Sequence, residues 1–182
     1  MPDSFSADGL RRIRRLAWIV RLLSLAGALL LGTMPFLFWA QPDWVAQVVT
    51  QQWGIPKIQL DMGARVGALL ATLLPAGVSV FALAQMWALF GCFARGELLA
   101  RAPAAHLRRL GLALCLLAAA QPLGRTLAIL ALTLGNPEGE RQLWFGLSSD
   151  HYLALLFGLL LLALAQVLYE AARVADENAE FI

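Results

Sequence analysis

The sequence predicts an all-α polytopic membrane protein with four transmembrane helices and both termini in the cytoplasm. Composition is the first observation behind this prediction: of 182 residues, 60% are hydrophobic and only 14% are charged. A soluble domain of this length would expose a large share of its residues to water, and about 25% of them would be charged. The composition therefore excludes a soluble enzyme domain, a disordered chain and a disulfide-stapled secreted module.

Four apolar stretches are the second observation, because each can cross about 30 Å of hydrocarbon, which takes about 20 helical residues. Unpaired backbone groups are too costly in lipid, so each stretch must be helical. We expect one membrane domain over residues 1–182. Its spans are predicted at about 16–40, 66–94, 110–134 and 152–169. We expect the first span to be retained rather than cleaved as a signal peptide, because its apolar run exceeds the usual ~7–15 residues.

The placement of arginine and lysine, the third observation, predicts the orientation. Ten basic residues fall on the side of the termini: Arg11, Arg12, Arg14, Arg15, Arg21, Arg95, Arg101, Arg108, Arg109 and Arg173. Three fall on the opposite side: Lys57, Arg65 and Arg141. Short loops rich in arginine and lysine stay in the cytoplasm, so both termini are predicted there. The net charge of only +2 argues against direct nucleic-acid binding.

The first outer loop, residues 41–65, predicts a short helix. Asp43 suits an N-cap, and apolar residues recur after it at helical spacing. These residues are Trp44, Val45, Val48, Val49 and Trp53. Two interpretations are open: the helix lies on the outer bilayer surface, or it forms a lid or sensor for something outside.

No motif in the chain indicates catalysis or a cofactor. There is no glycine-rich phosphate loop, no HExxH and no nucleophile elbow. The run 148–151 contains Ser, Asp and His, but adjacent residues cannot face one another as a catalytic triad requires. We expect Ser149 or Asp150 to cap the fourth helix instead. His106 and His151 lie on opposite sides of the predicted membrane, which excludes a metal or haem site that uses both. A non-enzymatic protein without a cofactor is therefore expected.

Arg125 is the one ionisable residue well inside a predicted span. A charge at mid-membrane costs about 2.5 kcal/mol or more, so such residues usually face protein or water and often mark function. In one interpretation Arg125 pairs with an outer carboxylate, which is Asp61, Glu140 or Asp150. In the other it lines a polar intramembrane site with Gln121.

The expected cytoplasmic face combines an Arg-rich loop with an acidic helical tail, residues 170–182, that continues the fourth helix. These elements share a compartment with the basic arm, residues 11–15, and we expect all three to converge on a docking surface. The alternative is a set of solvated charges that do not touch, since exposed ion pairs contribute only ~0–1 kcal/mol each. The candidate docking residues are Arg95, Glu97, Arg108, Arg109, Glu170, Arg173, Glu177, Asn178 and Phe181.

Short motifs lie at the ends of the predicted spans in the second half of the chain. They are Arg95-Gly96-Glu97, Arg108-Arg109-Leu110-Gly111, Asn136-Pro137, Glu140-Arg141-Gln142-Leu143, Ser148-Ser149-Asp150, Glu170-Ala171-Ala172-Arg173 and Glu177-Asn178-Ala179-Glu180-Phe181-Ile182. With them the chain resembles a bacterial membrane family known only as domain of unknown function 2975. The resemblance covers roughly residues 66–182. The chain departs from the commoner pattern at Leu99, at 102–104 and at Ala171.

This resemblance implies four transmembrane helices in a bacterial inner membrane and no known enzyme activity. Similar proteins are often paired in genomes with a small helix-turn-helix regulator, which implies a sensor or regulatory partner that docks a cytoplasmic protein. This is an association at the level of the family. The alternative is a small transporter or permease-like subunit that acts as an oligomer, and a membrane enzyme with an unseen site is a third. The candidate partners are the lipid bilayer, a cytoplasmic regulator and a second copy of the chain.

Overall fold

The computed structural model describes residues 7–55, 57–97 and 100–180, with side chains described from residue 11 to residue 177 outside the same gaps. Five helices account for most of these residues, and no strand occurs among them, so the all-α prediction is confirmed. The helices are α1 (Ala7–Ala40), α2 (Pro42–Gln51), α3 (Met62–Ala94), α4 (Arg101–Thr133) and α5 (Ser149–Glu180).

The four long helices, α1, α3, α4 and α5, are each long and apolar enough to cross a membrane. Each predicted span lies within one of them, apart from one residue at the end of α4. A helix of 33 residues is about 50 Å long at 1.5 Å per residue, which exceeds the hydrocarbon thickness of about 30 Å. The helices therefore extend past the apolar layer. A prediction based on hydropathy does not include polar helical turns such as the one that begins at Arg101.

The long helices form an open row in chain order rather than a closed bundle. Helix α1 packs on α3, α3 packs on α4, and α4 packs on α5. Across the described part of the chain, α1 has no close backbone contact with α4 or α5. One end of the row, the terminal face, carries the start of α1, the α3–α4 connection and the end of α5. The other end, the loop face, carries α2 and the α4–α5 loop.

Helix α4 approaches both of its neighbours closely at glycines. A Cβ atom at Gly111 would lie 2.9 Å from the carbonyl oxygen of Gly158 in α5. A Cβ atom at Gly124 would lie 2.9 Å from Cδ of Pro75 in α3. Small residues allow helix backbones to approach this closely, and van der Waals packing then holds the helices together in lipid. These contacts hold α4 against both of its neighbours in the row.

Helix α2 covers the loop face with its apolar side turned toward the long helices. Val45 and Val49 are fully buried and cluster with Trp39, Ile129 and Leu132 from α1 and α4. The predicted helix is thus present, and its valines contact protein rather than the bilayer surface. Its start differs from the expectation, because it begins at Pro42 with Gln41 at the N-cap and Asp43 in the first turn.

Helix α5 is also capped differently from the expectation of Ser149 or Asp150. The Ser148 carbonyl oxygen accepts the first backbone hydrogen bond, from the N–H of His151 at 3.1 Å. Nδ1 of His151 accepts in turn from the backbone N–H of Ser148 at 3.0 Å. This reciprocal pair resembles a capping box with histidine in the position that glutamate or glutamine usually takes. The His151 side chain and the Ser148 backbone therefore have a structural role at the start of α5.

Candidate functional site

Arg125 contacts two tryptophan rings that come from different loops. Its guanidinium carbon is 4.2 Å from the ring centroid of Trp144 and 5.4 Å from that of Trp53. The Nε atom is buried and has no hydrogen-bond partner among the described residues. A cation over an aromatic face gains about 0.5–2 kcal/mol, more where water is excluded. The aromatic faces therefore stabilise this charge where a counter-ion was expected.

The structure gives Arg125 none of the three predicted carboxylate partners. Asp61 caps α3, where its Oδ2 accepts from the backbone N–H of Gly63 at 3.2 Å. Glu140 pairs with Lys57 of the other loop. No ion pair joins Arg125 to Asp150 among the described residues. The expectation of an outer ion pair is thus wrong, because the loops bring tryptophans rather than carboxylates to this point.

Gln121 lies one turn before Arg125 on α4, and its side chain is exposed. The Arg125 side chain is half-buried under the two tryptophans. The structure therefore does not bring these two predicted site residues together in one buried polar site.

The two outer loops are tied to each other above Arg125. The Asn136 side-chain amide donates to the Lys57 carbonyl oxygen at 3.1 Å, and the Gln59 side-chain amide donates to the Gly135 carbonyl oxygen at 2.8 Å. Together with the Lys57–Glu140 ion pair, these bonds close the loop face over the end of the row.

At the terminal face, a half-open groove of about 620 Å³ runs between α4 and α5. Its floor is apolar and consists of Ala104, Ala105, Leu162 and Ala165. Its rim is polar and consists of Arg101, Arg108, Gln166 and Tyr169. This surface pairs an apolar recess with two arginines at the level where the helices leave the apolar layer.

The α5 tail contacts this groove through a long-range ion pair. Arg101 Nε donates to Asp176 Oδ2 at 3.0 Å, and both side chains are more than half exposed. Ala172, one turn earlier on α5, is fully buried. The tail therefore packs against the protein at the rim of the groove.

The other charges of the tail pair along the helix itself. Arg173 donates to Glu170 at 2.9 Å and to Glu177 at 2.7 Å. These i,i+3 and i,i+4 pairs are exposed to solvent, which screens them, so they contribute little to stability. The Asn178 side chain and Phe181, two further candidate docking residues, lie outside the described part of the chain.

Arg95 and Glu97 form a two-pronged ion pair just after α3. Arg95 Nε and Nη2 donate to the two oxygens of the Glu97 carboxylate, both at 2.9 Å. This pair holds the pKa of the Glu97 carboxyl below its ordinary value and raises the pKa of Arg95. It fastens the start of the α3–α4 connection.

Only some of the predicted docking residues come together. Arg108 lines the groove, whereas Arg109 is exposed on the same helix and does not line it. The basic arm belongs to α1, which has no close backbone contact with α5 in the described residues, so the expected three-way convergence is not found. Arg101 was missed as a docking candidate, since its partner Asp176 is 75 residues away and no local pattern links them.

His106, on α4, faces α3. Its Nδ1 donates to Oε1 of Gln85 at 2.9 Å, which crosses the α3–α4 interface. Among the residues that the structure describes, no group of three or more His, Cys, Asp or Glu is arranged to hold a metal ion.

Comparison with known proteins identifies the family of this chain. No curated protein and no solved structure matches the chain. A family model described as "Protein of unknown function (DUF2975)" matches residues 48–182, from within α2 onward, and thus covers the groove, the tail and Arg125. The resemblance identified over roughly 66–182 is confirmed and extends further toward the N-terminus. The chain therefore belongs to the DUF2975 family.

Proposed function

We propose that this multi-pass membrane protein is a non-enzymatic regulatory partner that docks a cytoplasmic protein in the α4–α5 groove of its terminal face. The observation that carries the proposal is the groove itself, with an apolar floor and a basic rim at Arg101 and Arg108. Both arginines precede the apolar run that begins at Leu110, so the rim lies at the membrane surface. The proposal includes a bacterial inner membrane and cytoplasmic termini, which the arginine asymmetry supports.

The chemistry of the groove suits an acidic amphipathic segment. Apolar side chains of such a segment fill the recess over Ala105 and Leu162, and its carboxylates meet the rim. A helix laid into an apolar groove is a recurrent mode of peptide recognition, and complementary charge speeds and orients the encounter. A helix-turn-helix regulator with an acidic segment is the first candidate, on the basis of the family association.

The Arg101–Asp176 pair supplies a way to regulate access. Because both side chains are more than half exposed, the pair contributes about 1 kcal/mol or less. A carboxylate of the partner competes with Asp176 for the same guanidinium. The α5 tail then acts as a weak internal competitor, and docking is coupled to its position through differential binding to two states.

The polar residues inside the predicted spans support docking better than transport through one chain. Gln85 is bonded to His106, Gln121 is exposed, and Gln166 lies on the groove rim. No hydrogen bond links these three glutamines to one another in the described residues, so they do not form a connected polar path.

Site-specific photo-cross-linking in native membranes tests the proposal. A photoreactive residue at Ala105, in the groove, is expected to capture a cytoplasmic protein, whereas one at Leu112, exposed on the same helix, is not. Charge reversal of Arg101 and Arg108 should abolish the capture, and so should neutralising the acidic segment of the captured protein. Equal capture from both positions, or capture unchanged by charge reversal, would contradict docking in the groove.

A further inference from the structure

Arg21, at the terminal face, carries a charge that pairs with no carboxylate among the residues that the structure describes. It stands at the start of the apolar run of α1, and its guanidinium carbon lies 4.2 Å from the ring centroid of Trp87 and 5.0 Å from that of Trp18. Its Nε atom is buried without a hydrogen-bond partner in the described residues, and no carboxylate there pairs with it. The two rings contact the guanidinium but supply no negative charge to neutralise it.

Arg95 approaches the same point from α3. The carboxylate of Glu97 occupies Nε and Nη2 of Arg95, so Nη1 is the nitrogen left over. A Cβ atom at Gly91 would lie 3.6 Å from this Nη1 and 4.0 Å from the guanidinium carbon of Arg21. Two guanidinium groups from neighbouring helices therefore converge beside Gly91, and the Glu97 carboxylate pairs with Arg95 but not with Arg21. The three side chains together carry a net charge of +1.

The depth of this cluster indicates which anion can reach it. Gly91 lies one turn before the end of the apolar α3, and Arg21 lies at the matching end of the α1 apolar run. Trp18 and Trp87 flank the guanidinium, and tryptophan is enriched at the membrane–water interface. The cluster thus lies at the level of lipid headgroups, where phosphodiesters are the abundant anions.

We propose that Arg21 and Arg95 bind the phosphate of an anionic phospholipid in the cleft between α1 and α3. A guanidinium binds phosphate oxygens through two parallel hydrogen bonds, and it stays charged at the membrane surface. An anionic headgroup is favoured over a zwitterionic one because no ammonium group offsets the attraction. The bound lipid would neutralise Arg21 and join the two helices on the side away from the α4–α5 groove.

Native mass spectrometry of the full-length protein, released from phosphatidylcholine vesicles that contain phosphatidylglycerol, tests this proposal. Arg21→Gln and Arg95→Gln are each expected to lower the fraction of protein that retains phosphatidylglycerol by about tenfold. Arg12→Gln is the matched control, since it removes the same charge from an exposed position on α1, and it should leave retention close to that of the wild type. An equal loss with Arg12→Gln would show charge attraction without a site and overturn the proposal.

Two further measurements distinguish a lipid from free phosphate and a lost binding site from a misfolded variant. Inorganic phosphate added to the detergent-solubilised protein should not displace the lipid; displacement would point to a free phosphate site and overturn the lipid assignment. Circular dichroism checks the helicity of each variant. The Arg95 side chain is 60% exposed, so Arg95→Gln is expected to fold even if Arg21→Gln does not. A folded Arg95→Gln protein that retains phosphatidylglycerol as the wild type does would overturn the proposal.

Discussion

The guanidinium carbon of Arg125 lies 4.2 Å from the ring centroid of Trp144, and no carboxylate pairs with this arginine in the described residues. The ring comes from the α4–α5 loop, and Trp53 of the first outer loop contacts the same charge. One arginine of α4 thus contacts both loops of the loop face. These two ring contacts explain how a charged side chain is accommodated inside an apolar span.

A double-mutant cycle measures the Arg125–Trp144 contact. Arg125→Leu alone should leave the melting temperature in detergent nearly unchanged, because removing a half-buried charge relieves its partial desolvation. Trp144→Leu alone should lower the melting temperature, since the Arg125 guanidinium loses its cation–π contact with the Trp144 ring. The coupling is expected to be about 1–2 kcal/mol. Effects that add without coupling, or a strong destabilisation by Arg125→Leu alone, would argue for a different partner of this charge.

The Arg95–Glu97 pair predicts an acid-side titration. Because Arg95 holds the pKa of Glu97 below its ordinary value, the pair stabilises the folded protein at and above that ordinary value, about 4.3. This contribution is lost as the pH falls through the lowered pKa. Carbon NMR of the Glu97 carboxyl in micelles should report a midpoint below the ordinary one, and Arg95→Gln should return it upward. An unchanged midpoint in Arg95→Gln would remove the pair as the cause.

The competition at Arg101 predicts opposite effects of two neutralising substitutions. Asp176→Asn frees the arginine and should raise cross-linking of the docked partner from Ala105 by up to about fivefold, as expected of an exposed pair. Arg101→Gln removes the arginine and should lower it. Glu177→Gln is the control, because Glu177 pairs within the tail and not with the groove. Equal changes in all three variants would mean that the tail is not the competitor.

The orientation predicts where a reporter works. A fluorescent protein fused after Ile182 should fold and fluoresce in the cytoplasm of bacterial cells, because the terminal face carries ten arginines against three basic residues on the loop face. A reporter that functions only outside the cytoplasm should be inactive at this position. Activity of such a reporter there would reverse the assignment of sides, and with it the cytoplasmic docking proposal.

Local patterns in the chain are enough to predict its helices. Each long apolar stretch must be helical in lipid, because only a helix pairs its backbone groups within one segment. The apolar spacing after Asp43 likewise predicts α2, and its buried positions Val45 and Val49 are among the predicted ones. Helix ends differ from the prediction, because the polar turn at the start of α4 and the Ser148–His151 cap do not depend on hydropathy.

The sequence by itself determined that the chain lies in a lipid bilayer, how many membrane helices it has, and that a short helix follows the first of them. These features depend on apolar composition, on backbone hydrogen bonding within one segment and on side chains three or four residues apart. Only the tertiary structure decided that the helices form an open row, that Arg125 meets Trp144 rather than a carboxylate, and that Arg101 pairs with Asp176. These contacts join residues far apart in the chain. Which residues meet depends on how the helices pack, for example at the close approaches beside Gly111 and Gly124. No local sequence pattern predicts this packing.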